Sequence, residues 1–292
     1  MKPSFSGVRI EKVYKEDFEN VYNLLLDFQT PHITKDQWRR LFINPWGSFV
    51  DYCGYMLVDG DKVVGFLGTI FSKRYLNGRE YKFCNLSSWI VKPEYRAKSM
   101  SLLRPILQMK DYTITNLTGM PALYNLFKKL GFKDLGLYRF IFPPLPPVRL
   151  IGGGRKCHII EDPNVIDKLL SENELRIFRD HINYECIHLI IESSISNCYV
   201  VATRVLRRGL PFIYIHYVNN IHVLKENIYR IILQILMKYK SLGIIVDERL
   251  LKGHKFALAI KNEVPNFKVY KSLSLNPEDI DNLYTEFILL NL

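Results

Sequence analysis

Residues 86–107 read LSSWIVKPEYRAKSMSLLRPIL, and this stretch predicts the fold more specifically than any other part of the chain. Its apolar start, residues 86–91, predicts a buried strand, which Pro93 ends. A basic turn over residues 96–101 follows, and an apolar helix is predicted to begin near Ser101. The backbone N–H groups of the turn and the positive end of the helix dipole both favour an anion, so the stretch predicts a phosphate site. Three basic side chains surround this site: Arg96, Lys98 and Arg104.

Strand-turn-helix junctions are common in α/β proteins, so the following segment helps to distinguish an anion site from a merely solvated turn. Residues 112–116 predict a short strand, and residues 122–133, ALYNLFKKLGFK, predict a helix that ends in Leu-Gly-Phe. VKPEYRAKSMS resembles the V-x-P-x-x-R-x-x-G-x-G/A signature of GNAT-type N-acetyltransferases, with Val91, Pro93 and Arg96 in register. ALYNLFKKLGFK resembles the second signature of that superfamily. The resemblance covers roughly the first half of the chain.

The resemblance implies a mixed α/β fold in which two central strands, here residues 86–91 and 112–116, splay apart. The pantetheine arm of acetyl-CoA would enter the gap, and its pyrophosphate would lie on the turn at residues 96–101. Twelve residues are thereby implied to contact the cofactor, acetyl-CoA (coenzyme A): Trp89, Ile90, Val91, Arg96, Ala97, Lys98, Ser99, Met100, Ser101, Leu102, Asn116 and Phe127.

Acyl transfer to an amine requires a deprotonated amine, a backbone N–H that holds the oxyanion, and a proton for the departing thiolate. In the resembled family, a tyrosine four residues before the glycine of Leu-Gly-Phe supplies that proton. This position is Phe127 here, and phenylalanine cannot donate a proton. Tyr124, three residues earlier on the same predicted helix face, is therefore the candidate acid, with Tyr138 as a weaker substitute.

The usual carboxylate base of the resembled family is also missing from the central strand. Asn85, Ser87 and Ser88 occupy its polar positions, and none of these side chains is a base at neutral pH. Ser87 is the catalytic candidate among them, because a hydroxyl can hold a water chain that leads the proton out.

The predicted phosphate turn departs from the family pattern too. Ser99 and Ser101 stand where glycine or alanine is preferred, so the backbone approaches a pyrophosphate less freely, although the hydroxyls can donate hydrogen bonds. Pro105 is predicted to fall in the first turn of the helix or to bend it, which would delay the start of the helix. Cofactor binding is expected, with less efficient catalysis.

Composition and charge fit a globular protein with an anionic ligand. The 292 residues are 48% hydrophobic, which is ample for packed cores. A formal net charge of +11 suits a nucleotide cofactor, whereas the basic residues form scattered doublets and not the polybasic run of a nucleic-acid arm. We therefore expect a small-molecule amine as the acceptor and no nucleic-acid partner.

Cysteine usage and hydropathy predict a cytoplasmic protein. The five cysteines are odd in number and lack C-x-x-C spacing, as expected for buried thiols in a reducing compartment. Residues 1–12 lack the apolar core of a signal peptide, and the apolar run at residues 228–237 is too short for a bilayer. We expect no membrane partner and no metal site.

The first half of the chain predicts an antiparallel meander that leads into the central strand. A strand, VRIEKVY, and two helices come first, with Thr34 as the predicted N-cap of the second helix. The Asp-Gly turn at residues 59–61 predicts a hairpin, and a second turn at residues 77–78 precedes the central strand. Residues 132–142 are predicted as the closing strand. This order disfavours a purely parallel Rossmann sheet.

A linker is predicted where the Pro-rich run 143–147 and the triple glycine 152–154 interrupt the pattern. No strand precedes the glycines and no G-K-[ST] follows them, which argues against a phosphate loop. The predicted domains are residues 1–145, a GNAT-like domain with the acyl-CoA site; residues 146–156, the linker; and residues 157–292, a second α/β domain.

The second half repeats the first in outline: a strand, two helices, three strands, a long helix at residues 221–239 and a strand at residues 243–246. After Val218 the sequence Asn-Asn-Ile-His has neither an arginine nor a small-residue loop. We predict a degenerate second GNAT-like unit without a cofactor site, with an unrelated α/β domain as the alternative. A C-terminal helix is predicted with Pro277 at its first position and Leu283, Phe287 and Leu290 on one face.

Three functions are compatible with these patterns. The leading hypothesis is an acyl-CoA-dependent N-acyltransferase that moves acetyl from acetyl-CoA to a primary amine of a small molecule or amino sugar. Phe127 and the missing base are also consistent with a non-catalytic tandem GNAT-like CoA-binding protein. An aminoacyl-tRNA-dependent transferase built from paired GNAT-like units would need a clustered basic groove, which the sequence does not predict.

Overall fold

A computed structural model of the chain describes residues 7–76, 78–144, 158–194 and 196–292. The strands in these ranges are β1 (Val8–Val13), β2 (Gly54–Asp59), β3 (Lys62–Leu76), β4 (Arg79–Val91), β5 (Tyr112–Gly119), β6 (Lys133–Asp134), β7 (Tyr138–Phe142), β8 (His158–Ile160), β9 (Cys186–Glu192), β10 (Asn197–Arg207), β11 (Leu210–Val218), β12 (Ile244–Asp247), β13 (Ile260–Glu263) and β14 (Phe267–Lys271). The α-helices are α1 (Phe18–Leu25), α2 (Lys35–Arg40), α3 (Ser99–Leu107), α4 (Tyr124–Lys129), α5 (Pro163–Leu169), α6 (Glu172–His181), α7 (Ile221–Lys238) and α8 (Glu286–Leu289).

These elements form two compact units, each built around one seven-stranded mixed sheet. The first unit contains the chain up to Lys133 together with Lys268–Leu275 and Tyr284–Leu290. The second contains Asp134–Phe267, Asn276–Leu283 and the last two residues. The strand orders are β1-β2-β3-β4-β5-β14-β6 and β13-β7-β12-β11-β10-β9-β8.

The first unit opens with the predicted antiparallel meander. β1 pairs with β2, β2 with β3 and β3 with β4, all antiparallel, and β4 then pairs in parallel with β5. A two-residue turn that contains Gly60 at φ 58° joins β2 to β3, which confirms the Asp-Gly hairpin. Gly78 has φ 77° in the second turn, whose other predicted residue, Asn77, lies outside the described residues.

Local capping and aromatic packing place the first two helices on the sheet. Thr34 caps α2 as predicted: its hydroxyl accepts from the Gln37 N–H at 3.2 Å, and the Gln37 side chain accepts from the Thr34 N–H at 2.8 Å. The Phe18 ring of α1 packs edge-on against the Phe42 ring, with 5.1 Å between ring centres. The Phe42 ring stacks on that of Phe66 in β3, with 5.5 Å between ring centres. These buried rings attach the helical segment to the strand beside the central strand.

The closing strand predicted over residues 132–142 does not form as one element. The structure has the short β6, then Gly136 at φ 148°, and then β7, which pairs with β12 and β13 in the second sheet. The prediction was therefore wrong in its pairing, because the glycine turns the chain and β7 finds its ladder in the second unit.

The long C-terminal helix was also predicted wrongly. Pro277–Asp279 forms a 3-10 helix, and only the single turn of α8 follows later. Two features stop a continuous helix: Tyr284 takes a left-handed φ of 58°, and the Asn282 side chain is held by Asp247 at 3.0 Å.

The second unit has one large apolar core, formed where α7 packs on β9, β10 and β11. Its buried members include Leu189, Val200, Ile213, Ile215, Ile228, Ile231, Ile232 and Ile235. α7 begins directly after Asn220, whose side chain accepts from the Val223 N–H at 3.3 Å and so caps the helix.

The predicted repeat is present in the order and direction of the elements. β1-α1-α2-β2-β3-β4-α3-β5 in the first unit corresponds to β8-α5-α6-β9-β10-β11-α7-β12 in the second. In both units the fourth strand of the series pairs in parallel with the fifth. The linker predicted at residues 146–156 lies outside the described residues, and the domain boundaries remain a prediction.

None of the helices in the described ranges has both the length and the apolar character that a membrane span requires.

The half-buried position of His188 in β9 predicts that the stability of the second unit depends on pH. Its ring bonds to the Tyr199 hydroxyl at 2.7 Å and meets the Phe178 ring edge-on at 5.0 Å. Burial lowers the pKa of His188 from 6.5 to about 4. The unfolded chain therefore binds a proton between these pH values that the folded chain does not bind, so the unfolding free energy falls as the pH drops through this window.

We expect the wild-type chain to lose roughly 3 kcal/mol of unfolding free energy between pH 7 and pH 4 through this group, at about 1.4 kcal/mol per pH unit. His188→Gln should flatten that part of the dependence in denaturant titrations, while His158→Gln, a matched change at an exposed histidine of β8, should leave it in place. Equal slopes for wild type and His188→Gln would contradict this assignment.

Candidate functional site

The central strands of the first unit separate at their carboxyl ends. β4 and β5 pair in parallel from Lys82 and Tyr112 up to Leu86 and Asn116. Both strands then continue, β4 to Val91 and β5 to Gly119. The edge of β4 that faces β5 thus has no ladder partner in β5 beyond Leu86, and a gap opens there, as the resemblance implies.

A β-bulge lies in β4 where the gap opens. Ser87 pairs with Gly68 and Ile90 pairs with Phe66, so Ser88 and Trp89 together oppose one residue of β3. Ser88 takes a left-handed φ of 53°, a conformation that costs a non-glycine residue roughly 1–2 kcal/mol. Bulges redirect backbone and side chains and are frequent beside active sites. Here the bulge changes the direction of β4 at the gap.

The predicted open turn at residues 96–101 is a 3-10 helix, Pro93–Lys98, that runs directly into α3. The Tyr95 N–H donates to the Lys92 carbonyl at 2.9 Å, and the Ser99 N–H donates to the Arg96 carbonyl. The backbone N–H of Ser99, within the predicted phosphate turn at residues 96–101, is therefore already used by the i to i−3 bonding of the 3-10 helix.

The start of α3 also differs from the prediction. The helix begins at Ser99, two residues earlier than predicted, and Pro105 lies inside it and not in its first turn. The 3-10 helix supplies the preceding turn, so the proline does not delay the helix.

The charged and small side chains of the turn remain accessible. Arg96, Ala97, Lys98, Met100 and Arg104 are exposed, Ser99 and Ser101 are half-buried, and Leu102 is buried. A phosphate at this position would meet cationic side chains more readily than a row of free amides.

Phe127 belongs to the hydrophobic core of the first unit. It is 0% exposed and meets Phe132 edge-on at 4.9 Å and Trp89 edge-on at 6.1 Å. Trp89, Ile90 and Val91 are half-buried at the end of β4. Phe127, one of the residues predicted to contact the cofactor, is thus buried in the core. Trp89, at the end of β4 beside the gap, packs against it.

The three predicted catalytic residues lie in different local environments. Ser87 is buried beside the bulge, with its hydroxyl 3.1 Å from that of Ser88. Tyr124 is half-buried at the start of α4, with the Lys128 ammonium 5.8 Å from its ring centre. Tyr138 lies in β7 of the second unit, where the Lys261 ammonium stands 4.0 Å from its ring centre.

A carboxylate that sequence reasoning missed bonds side chains of both central strands. Glu286 of α8 is 2% exposed; it accepts from the Asn85 amide of β4 and, at 2.7 Å, from the Thr118 hydroxyl of β5. Burial raises its pKa, while the bonds from Thr118, its own backbone N–H and Asn85, and the charge of Lys268, lower it. The sequence signal was a single acid within an apolar C-terminal run.

The residues at the gap fit an extended acyl-CoA. The edge of β4 that is not paired with β5 can form hydrogen bonds with the amides of a pantetheine arm. The exposed side chains of Arg96 and Lys98 can bind a diphosphate. The occupied Ser99 amide weakens the fit at the turn without closing the gap. Among the described residues, no group of three or more His, Cys, Asp and Glu side chains is placed to hold a metal ion.

Solved structures with similar folds span almost the whole chain. A GCN5-related N-acetyltransferase from Anabaena variabilis matches with a TM-score of 0.59 and 12% identity over 91% of this chain and 73% of its own. Another from Kribbella flavida matches with a TM-score of 0.56 and 16% identity over 91% of this chain and 71% of its own. Saccharomyces cerevisiae N-myristoyltransferase with bound myristoyl-CoA matches with a TM-score of 0.50 and 12% identity over 97% of this chain and 84% of its own. Neither a family profile nor a curated protein sequence matches the chain.

Matches of this extent include both compact units, and identities of 12% to 16% establish a shared fold and not an activity. The diverging strands, the bulge and the repeated element order agree with that result. The chain has the mixed α/β fold of the GNAT-type N-acetyltransferases, and its two seven-stranded sheets are consistent with a tandem arrangement of GNAT-like units.

Proposed function

We propose that the protein is an acyl-CoA-dependent N-acyltransferase that transfers acetyl from acetyl-CoA to a primary amine of a small molecule or amino sugar. The observation that supports it is the gap between β4 and β5, which opens beside a bulge and close in sequence to exposed cationic side chains. The similarity to N-acetyltransferases and to a myristoyl-CoA-bound transferase supports the acyl-CoA class.

In this proposal the strand edge orients the acyl donor. Backbone groups of Trp89 and Val91 bond the pantetheine amides in the manner of a missing strand, and a backbone N–H near the bulge holds the oxyanion. Arg96 and Lys98 bind the diphosphate. Bound acetyl-CoA would supply a thioester carbonyl that an amine can attack. Tyr124 donates a proton to the departing sulfur.

We assign the acyl-CoA site to the predicted domain of residues 1–145 and treat residues 157–292 as the degenerate unit. In the second unit, the Asn220 side chain already occupies the Val223 amide at the start of α7, the helix equivalent to α3. A cytoplasmic location and the absence of a nucleic-acid partner remain parts of the proposal, based on composition.

A non-catalytic CoA-binding protein is the second candidate. It is favoured by Phe127, which replaces the tyrosine of the resembled family and is fully buried. Binding alone would need the gap and the cations but no proton donor.

Acetyl-CoA binding tests the shared basis of both candidates. Titration calorimetry should record binding to the wild-type chain that weakens with added salt, because exposed charges are screened. Arg96→Glu and Lys98→Glu should each weaken binding about tenfold, equivalent to roughly 1.4 kcal/mol. Arg79→Glu, the same change at the opposite end of β4, is the matched control and should bind normally. No heat and no thermal shift at millimolar acetyl-CoA would eliminate the acyl-CoA proposal.

Turnover then separates an enzyme from a binder. With an amine panel and saturating acetyl-CoA, Tyr124→Phe should lower kcat by about a hundredfold or more, the usual contribution of a general acid, without changing acetyl-CoA affinity. An unchanged kcat in Tyr124→Phe together with a large loss in Tyr138→Phe would reverse the assignment. Acetyl-CoA binding without turnover of any amine in the panel would favour the binding protein.

A further inference from the structure

The carboxylate of Glu286 joins the two central strands at the point where they part. Asn85, its partner on β4, precedes the last residue that pairs with β5. Thr118, its partner on β5, lies two residues beyond Asn116, the last residue of β5 that pairs with β4. A group bonded to both strands on either side of this point lies at the opening of the gap.

The neighbouring side chains fix the orientation of this carboxylate. The Thr115 hydroxyl donates to the Asn85 amide oxygen at 2.9 Å, so the Asn85 amide nitrogen is the end directed at Glu286. Both carboxylate oxygens accept hydrogen bonds, one from each strand. The polar groups are therefore arranged to receive a carboxylate at this position.

The segment that carries Glu286 is anchored within the first unit. The Gln37 side chain of α2 donates to the Leu290 carbonyl at 3.2 Å, and the Arg74 guanidinium lies 5.6 Å from the Tyr284 ring centre. The Thr285 hydroxyl accepts from the Phe287 N–H at 3.3 Å and begins α8. These contacts hold the acid at the strands and leave little freedom for the segment to withdraw.

The charged group that acts on Glu286 is Lys268 of β14, which is 4% exposed and lies 5.0 Å from the Phe287 ring centre. Its positive charge favours the ionised carboxylate, whereas burial opposes ionisation and is the larger influence on the pKa of Glu286. A carboxyl group whose pKa is raised by burial holds a proton more readily than an exposed one, which suits it to accept a proton from an amine.

We propose that Glu286 is the proton acceptor of the acyl transfer, in place of the base that the sequence of β4 lacks; the inference rests on the proposed N-acyltransferase function. The nitrogen of a neutral primary amine forms a bond to the thioester carbonyl carbon while the π electron pair of the carbonyl moves to its oxygen. One amine N–H bond breaks, and that proton forms an O–H bond on the Glu286 carboxylate. The oxyanion then re-forms the carbonyl, the C–S bond breaks with its electron pair on sulfur, and the sulfur takes the proton of the Tyr124 phenol. Proton exchange with solvent returns Glu286 to the carboxylate and Tyr124 to the phenol.

The competing interpretation is that Glu286 only ties the C-terminal segment to the sheet. Both interpretations predict that substitutions at Glu286 alter stability, so stability does not distinguish them. They differ in the pH dependence of turnover, because only a proton acceptor makes the rate follow its own ionisation.

The deciding experiment is the pH profile of kcat/KM for the amine at saturating acetyl-CoA, measured for the wild-type chain and three variants. The wild-type rate should fall on the acid side as Glu286 becomes protonated. Thr118→Val removes a bond that stabilises the ionised carboxylate, so the acid limb should move to higher pH. Glu286→Gln should lower kcat about a hundredfold or more and abolish that limb.

Thr113→Val is the matched control, because the Thr113 hydroxyl lies on the same strand and bonds to Ser272 at 2.8 Å and not to Glu286. Its acid limb should stay where the wild-type limb is. An acid limb that does not move in Thr118→Val would overturn the inference, even if Glu286→Gln fails to fold. Calorimetry with acetyl-CoA separates failure of the Glu286 role from failure of the proposed function. If the wild-type chain binds acetyl-CoA and acylates an amine, and the acid limb of Thr118→Val coincides with the wild-type limb, only the role of Glu286 is rejected.

Discussion

The structure of the first unit depends on where the hydrogen-bond ladder between β4 and β5 ends. Buried backbone groups need partners, yet both strands continue past their last pair, Leu86 with Asn116. The bulge at Ser88 and Trp89 lets β4 change direction while it keeps its ladder with β3. The carboxylate of Glu286, bonded to both strands, occupies the point of divergence. The gap between β4 and β5 thus follows from where their pairing ends, and the hydrogen bonds of Glu286 to Asn85 and Thr118 connect the two strands at that point.

The second unit repeats this arrangement with a different outcome. The parallel ladder between β11 and β12 also ends before β11 does, and His216 is an extra residue in register with β10. Its carbonyl accepts the N–H of Asn282 at 3.1 Å. One C-terminal segment therefore contributes to both units, Asn276–Leu283 to the second and Tyr284–Leu290 to the first. In the first unit this segment places the Glu286 carboxylate against both central strands.

Periodicity and turn chemistry predicted most of the fold, because alternation, the Asp-Gly hairpin and the Thr34 cap are local signals. The 3-10 helix at Pro93–Lys98 was not predictable in this way, since a basic turn and a 3-10 helix share the same composition. β7 pairs with β12, and Glu286 bonds Asn85, both far away in the sequence. Local sequence patterns therefore do not predict either contact. The resemblance thus implied the gap between β4 and β5, whereas no sequence pattern placed Glu286 at its opening.

Acyl-CoA-dependent transfer by this chain requires that the edge of β4 past Leu86 binds an acyl-CoA. Amide hydrogen exchange measured with and without acetyl-CoA tests this directly, because a ligand that bonds a strand edge slows exchange there. We expect slower exchange over residues 87–91 on addition of acetyl-CoA and no change over residues 216–218, the stretch of β11 past the end of its ladder with β12. Unchanged exchange at residues 87–91 while calorimetry records binding, or protection of residues 216–218 instead, would contradict acyl-CoA binding at the edge of β4.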